Sequence, residues 1–179
     1  MRTKTDHRFV VDVDPEQVME ALLTVERLPD WSPSHQDVRV ATRDSYGRPK
    51  RVYVSANLMG RPDRQVVEYT CTQDRIEWKV TESSAGAGGK GWFEIADTED
   101  GTEVWYHSEI RLPIPVPGML LKRTANRESE TLVENFIAYV EDYAGIEPEA
   151  EPEPYPEGAY EPRGYAGPLY GGSFEPGLA

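Results

Sequence analysis

The feature that most constrains this fold is a long amphipathic pattern that follows a proline-rich segment at residues 112–118 and ends near Tyr143. Apolar residues recur in it at spacings of three, four or seven, which places them on one face of a helix. They are Leu121, Ala125, Leu132, Phe136, Val140 and Tyr143. This face has to be buried, and the only large partner upstream is a set of strands. We therefore predict that the helix closes the domain against a sheet.

Seven strand-like segments precede this helix. The first, residues 5–13, alternates between apolar and polar residues as a half-buried strand does. The other six lie at residues 38–42, 51–54, 65–72, 75–81, 91–96 and 102–112. The turns between them are short, which favours antiparallel neighbours over crossover connections. One strand, two short helices, about six more strands and a long helix make an α+β layout.

Two short helices are predicted between the first and second strands. Asp14 can cap the first helix, and Pro15 suits its first helical position because the N–H that proline lacks has no helical partner there. A second helical turn is predicted at residues 25–28, stopped by Pro29. Trp31 follows between two prolines. It either plugs the corner between the helices or forms part of a cavity rim.

Composition excludes several classes of function. The 179 residues carry a formal net charge of -13 and have a pI near 4.7, so a nucleic-acid partner, which requires a basic face, is not expected. The single Cys71 rules out an internal disulfide, and the three histidines show no metal-ligand spacing. No apolar run approaches 18 residues, and the N-terminus lacks the apolar stretch of a signal peptide. We expect a cytoplasmic protein without metal, cofactor or integral membrane segment.

Five segments stand in a fixed order along the chain. They are Asp14-Pro15-Glu16-Gln17-Val18, Val25-Glu26-Arg27-Leu28-Pro29-Asp30-Trp31-Ser32-Pro33, Asp74-Arg75-Ile76-Glu77-Trp78, Asp100-Gly101-Thr102-Glu103-Val104-Trp105-Tyr106 and Leu112-Pro113-Ile114-Pro115-Val116-Pro117-Gly118. In this order they resemble the START-like (SRPBCC) superfamily, in particular its bacterial polyketide cyclase/dehydrase branch. The resemblance spans roughly residues 5–143. It implies a helix-grip fold, in which a curved antiparallel sheet of six to seven strands wraps the C-terminal helix around an apolar cavity. The superfamily includes lipid-transfer and hormone-binding proteins as well as cyclases, so membership does not fix the activity.

Strand alternation places aromatic residues with polar tips on the inner face of the sheet. A solid core of this size would favour Leu, Ile and Val there, whereas a ligand pocket is typically apolar with a few polar groups. An ordinary core whose hydroxyls bond to backbone or water is the alternative. Together with the helix face, the predicted ligand-binding residues are Tyr53, Tyr69, Trp78, Phe93, Ile95, Tyr106, Ser108, Leu121, Leu132 and Phe136.

Other candidate sites carry weaker signals. Residues 86–91 match the spacing of the dinucleotide-binding GxGxxG motif, but they lie between two predicted strands, so we interpret them as a flexible hairpin loop. His107 and Glu109 are two residues apart on a strand face that should point to solvent. His7 lies on the inward face of the first strand, where a hydrogen-bonded core or rim histidine is favoured over a ligand contact or a general base.

Basic residues gather at the start of the long helix, where Lys122, Arg123 and Arg127 oppose the helix dipole. They form either an ordinary solvated face or a basic entrance that steers an acidic ligand.

Residues 145–179 differ in composition from the rest of the chain. Seven glutamates and one arginine give this segment a charge of -6, and Pro, Gly and Tyr take the place of aliphatic residues. Such a segment has too little apolar surface to form a core, so we predict a disordered tail after a ligand-binding domain at residues 1–144. Four tyrosines spaced five apart offer weak contact points for a protein partner.

The sequence thus favours binding or transport of a hydrophobic small molecule, such as a lipid or polyketide, between sheet and helix. One alternative is a polyketide cyclase, aromatase or dehydrase that uses Tyr, Ser or His groups of the cavity. A second alternative is an interaction module that acts through the tyrosine-rich tail. No acid–base constellation stands out, so no catalytic residue is assigned.

Overall fold

The computed structural model describes residues 2–113 and 117–143. The strands are β1 (Arg2–Val11), β2 (His35–Arg43), β3 (Pro49–Leu58), β4 (Arg61–Cys71), β5 (Arg75–Ser83), β6 (Gly88–Thr98) and β7 (Gly101–Arg111). The helices are α1 (Pro15–Leu23), α2 (Leu28–Trp31) and α3 (Gly118–Tyr143), with a 3₁₀ turn at Val25–Arg27 before α2. By internal contacts the chain divides into Met1–Glu147 and Pro148–Ala179. The predicted tail and its tyrosines lie outside the described residues.

The seven strands form one antiparallel sheet in the order β1-β7-β6-β5-β4-β3-β2. Consecutive hairpins connect β2 through β7, and the chain reaches β2 from β1 by way of α1 and α2. β1 therefore pairs with the last strand, and β1 and β2 are the two edges of an unclosed sheet. α3 packs against β1, α1 and α2. The predicted α+β helix-grip architecture is confirmed.

α3 buries the predicted apolar face. Leu121, Ala125, Phe136 and Val140 are each at most 5% exposed. Burying a side chain as large as Leu, Val or Phe stabilises the fold by about 1.5–3 kcal/mol, which outweighs the unfavourable placement of basic residues in the early turns of the helix. Packing therefore decides which side of the helix faces the core. α3 ends at Tyr143, as predicted.

An aromatic cluster joins α2, α3 and the sheet. Trp31 is 2% exposed, and its ring centroid lies 4.9 Å from that of Phe136 and 6.2 Å from that of Phe93, in both cases edge to face. This geometry is favourable for aromatic pairs. Of the two interpretations of Trp31, the structure supports the plug.

Two local predictions are wrong. Pro29 does not stop a helical turn but lies in the first turn of α2. Proline is tolerated there because the N–H groups of the first turn have no partner within the helix. The glycine-rich segment is not a loop throughout, because β6 begins at Gly88 and only residues 84–87 connect it to β5. Residues 88–91 pair with residues 108–111 of β7, and these backbone pairings do not depend on side chains.

The predicted environments of Tyr53 and Glu109 are also wrong. Tyr53 is 50% exposed, because its fully buried neighbour Val52 takes the inner face and strand alternation turns Tyr53 outward. Glu109 is only 7% exposed. It pairs with Arg2 and Lys4 of the neighbouring strand β1, which shield its carboxylate from solvent.

Candidate ligand-binding cavity

A cavity of about 160 Å³ lies between the inner face of the sheet and α3. All seven strands contribute to its wall, and residues 22–34 close one side. α3 contributes Ala125, Glu128, Ser129 and Leu132, which the helical repeat places on one face. The sheet and the helix thus enclose the space between them rather than packing into a solid core.

Six of the ten predicted ligand-binding residues line this cavity: Tyr69, Trp78, Phe93, Tyr106, Ser108 and Leu132. The other four do not. Ile95 and Phe136 belong to the main hydrophobic core, Leu121 packs in a second apolar cluster with Ala87 and Leu112, and Tyr53 faces outward. Periodicity identifies buried positions, but it cannot tell which of them border open space.

Stacked aromatic rings form one wall. The ring of Tyr106 lies 4.7 Å from Phe93 and 6.0 Å from Trp78, with interplanar angles of 28° and 17°. Burial raises the pKa of the Tyr106 hydroxyl, with the nearby Ser108 hydroxyl acting in the opposite direction and the charge of Glu128 adding to the increase. The wall is therefore flat, apolar and neutral, which suits a planar or ring-containing ligand.

His7 connects β1 to α3 through a hydrogen bond. Its Nε2 lies 2.8 Å from the Oγ of Ser129, whose hydroxyl donates to the carbonyl of Asn126 at 2.8 Å. Because the serine proton is directed at that carbonyl, the Nε2–H of His7 donates to Ser129. This arrangement matches the hydrogen-bonded histidine favoured from the sequence.

A second histidine, His35, lies in the cavity wall at the start of β2. The hydroxyl of Ser32 is 2.7 Å from its Nδ1. Burial lowers the pKa of His35 to about 4, because desolvation penalises the charged imidazolium. His35 is therefore neutral at physiological pH, and its Nε2 has no hydrogen-bond partner among the described residues.

Tyr69 presents a free hydroxyl at the cavity. Burial raises the pKa of this phenol well above its usual value, with a smaller contribution from Cys71. No residue in the described part of the chain hydrogen-bonds to its hydroxyl, although Tyr69 packs against the core. Tyr69 thus remains a neutral group able to donate or accept a hydrogen bond.

Sequence reasoning missed Glu128, which lines the cavity from α3. Burial raises the pKa of its carboxyl group, and within residues 2–113 and 117–143 no side chain or backbone group pairs with it. A signal was present: the apolar face of α3 has a gap of six residues between Ala125 and Leu132, and Glu128 and Ser129 lie on that face within the gap. Polar residues inside an otherwise apolar helix face point to a site rather than to a core.

The described residues that line the cavity include neither lysine nor arginine. Among them, the only carboxylates are those of Glu128 and Glu109. The carboxylate of Glu109 forms ion pairs with Lys4 at 3.0 Å, with Lys90 at 3.8 Å and with Arg2. The cavity therefore combines an apolar aromatic surface with one unpaired carboxyl group.

Metal and membrane features are not found in the described part of the chain. In that part, no three His, Cys, Asp or Glu side chains come close enough together to hold a metal ion. None of the described helices combines the length and apolar character needed to cross a bilayer. Cys71 lies outside the cavity wall, and burial raises the pKa of its thiol to about 11, so it is protonated and unreactive at neutral pH.

An antiparallel sheet folded against a long C-terminal helix, with a cavity between them, defines the START-like helix-grip class. Residues 11–137 match the family described as polyketide cyclase / dehydrase and lipid transport. The chain belongs to this family. No curated protein is significantly similar to it in sequence.

Solved structures share this fold at low sequence identity. A START superfamily protein from Mycobacterium smegmatis is 17% identical, covering 79% of this chain and 97% of its own, with a TM-score of 0.68. A protein from Thermus thermophilus is 20% identical over 79% and 98% of the two chains, with a TM-score of 0.63. The Zhui aromatase/cyclase from Streptomyces sp. R1128 is 15% identical over 81% and 93%, with a TM-score of 0.56. At these identities the likeness establishes the fold alone.

Proposed function

We propose that this protein binds a small, largely apolar molecule in the cavity between the sheet and α3. The observation that carries the proposal is the cavity itself. Protein interiors normally contain few voids larger than a water molecule, whereas this cavity measures about 160 Å³. Its free polar groups, which include Tyr69, Glu128 and the Nε2 atom of His35, are unfavourable in an apolar site unless a ligand or water satisfies them.

The volume of the cavity limits what it holds in this conformation. An apolar cavity of about 150 Å³ accommodates a benzene-sized ligand, so the present space matches one aromatic ring or a similar group. A larger lipid or polyketide would bury only its head group or terminal ring there, unless α3 and the segment before β2 move apart.

A substitution that fills the cavity tests the proposal. Val80 is partly buried and lines the space, so Val80→Phe should occupy it. We expect native mass spectrometry to detect an apolar molecule co-purifying with the wild-type protein and not with Val80→Phe. Val10→Phe is the matched control, because Val10 is 46% exposed. Wild-type protein that carries no ligand and shows no thermal shift with apolar ring compounds would contradict the proposal.

A second candidate function is catalysis of the cyclase or dehydrase type. Glu128 favours it, because a partly buried carboxyl group with a raised pKa is a suitable general acid or base. Tyr106 and Ser108 lie in the same cavity and could orient a carbonyl or hydroxyl group. In the described residues, however, no side chain is hydrogen-bonded to Glu128 to position it for proton transfer, so binding remains the leading proposal.

A further inference from the structure

The charge in the cavity wall restricts which ligands can enter. The described wall holds no lysine or arginine, and its one histidine, His35, is neutral. Lys122, Arg123 and Arg127, which the sequence offered as a basic entrance, do not line the cavity. No cationic group of the described wall is therefore available to receive an acidic ligand.

The carboxyl groups in the wall differ in availability. Glu109 already has three cationic partners on β1 and β6. Glu128 has none, and it lies one turn of α3 from Ala125 and Leu132, whose side chains supply apolar surface. Across the cavity, the hydroxyl of Tyr69 is also without a partner in the described residues. A bound molecule therefore meets one free hydrogen-bond acceptor of negative charge, the carboxylate of Glu128, and two neutral groups without a partner, the Tyr69 hydroxyl and the Nε2 atom of His35.

We propose that Glu128 selects the ligand: the cavity takes an uncharged ring compound that carries a hydroxyl donor, and it rejects carboxylic acids of the same size. This inference rests on the proposed function and specifies its ligand class. The donor would bond to the carboxylate of Glu128, a charge-assisted bond that is stronger than a neutral one. A ligand carboxylate would meet a like charge in a partly buried site, without a compensating cation. Fatty acids and other anionic lipids are therefore excluded as head groups in this site.

Two single-ring probes of similar shape test the selection. We would titrate the full chain with 4-ethylphenol and with 4-ethylbenzoate at pH 7.5 and follow binding by ligand-detected NMR. We expect the wild-type protein to bind the phenol at least tenfold more tightly than the benzoate. Any apolar cavity disfavours an anion, so the ratio alone does not implicate Glu128.

The variant Glu128→Gln separates the effect of the Glu128 charge from the general preference of an apolar cavity for a neutral ligand, because it removes the charge and keeps the shape of the side chain. We expect the ratio to fall to threefold or less, mainly through tighter binding of the benzoate. Glu130→Gln is the control, since Glu130 is exposed on the same helix and lies outside the cavity wall, and it should keep the wild-type ratio. Melting curves confirm that both variants fold.

Selection by Glu128 is overturned if the wild-type protein prefers the phenol over the benzoate by less than tenfold. It is also overturned if this preference stays above threefold in Glu128→Gln. In both cases the proposed function still holds. Failure of the wild-type protein to bind either probe overturns both proposals. The two failures are therefore distinguishable.

Discussion

Gly91 sets the position of the largest side chain in the cavity wall. A Cβ atom added at Gly91 would overlap the ring of Trp78 and the carbonyl oxygen of His107. The backbone oxygen belongs to the paired strand, so a side chain at residue 91 would disturb the strand ladder and would also force Trp78 to shift. Glycine is required here by close approach and not by an unusual backbone conformation.

We predict that Gly91→Ala destabilises the protein by about 1–3 kcal/mol, the usual penalty for overpacking, and displaces Trp78. Urea unfolding and the near-UV circular dichroism of tryptophan measure both effects. Gly89→Ala is the control: its Cβ would lie 3.5 Å from Val80 and from the carbonyl oxygen of Glu109, which is ordinary contact. Equal stability of the two variants would contradict the role of Gly91.

Among the strands, Asp63 ties β4 to the connection that precedes β6. This residue is 2% exposed, and its carboxylate accepts bonds from the Ser83 hydroxyl at 2.8 Å, the Ser84 hydroxyl at 3.0 Å, the Ala85 N–H at 2.9 Å and the Gln65 amide at 2.8 Å. Burial alone would raise the pKa of Asp63, but these hydrogen bonds outweigh it and lower the pKa. The connection between β5 and β6, residues 84–87, is therefore anchored at its start.

We predict that Asp63→Asn destabilises the protein by about 2–4 kcal/mol at pH 7, because an amide cannot accept all of these bonds and its NH₂ group opposes other donors. Since the pKa of Asp63 is lowered in the folded state, its stabilisation is present above the ordinary carboxyl pKa and is lost as the pH falls through the lowered value. Urea unfolding at pH 7 and pH 3 measures the change, and hydrogen exchange at residues 83–87 should accelerate. Asp97→Asn, at an exposed position of β6, should have little effect. A loss of stability that is the same at both pH values would argue against a charged anchor.

For the whole molecule, His35 makes stability depend on pH. Its pKa is about 4 in the folded protein and 6.5 in an unfolded chain. Its contribution is therefore fully present above pH 6.5 and is lost as the pH falls towards 4, because the unfolded state takes up the proton first. The difference between these two pKa values corresponds to about 3 kcal/mol.

We predict that the free energy of unfolding of the wild-type protein falls more steeply between pH 7 and pH 4.5 than that of His35→Asn, by about 2–3 kcal/mol. The asparagine cannot titrate, but its side chain can still form a hydrogen bond with Ser32. Urea unfolding of both proteins at the two pH values gives the comparison. A difference between the proteins that does not change with pH would show that His35 is accessible to protons in the native state.

Much of the candidate site followed from periodicity and from the family resemblance, and the failures have identifiable causes. Tyr69, Trp78 and Tyr106 were found because strand alternation assigns faces once a strand is recognised. Tyr53 was misassigned because its neighbours Val52 and Val54, not the tyrosine, take the inner face of β3. Glu128 was missed because a single carboxylate on a helix face resembles a surface residue until its neighbours are known.

The sequence by itself determined the order of the elements and, for α3 and most of the strands, the face that is buried. Those properties depend on local patterns: the apolar repeat of α3, the alternation within strands and the short turns that force antiparallel pairing. The tertiary structure alone decided where the buried faces leave a cavity between them and which polar groups in its wall lack partners. It also decided that Glu109 and His35 are largely shielded from bulk water. These properties depend on distances between residues far apart in the chain, and no local pattern contains them.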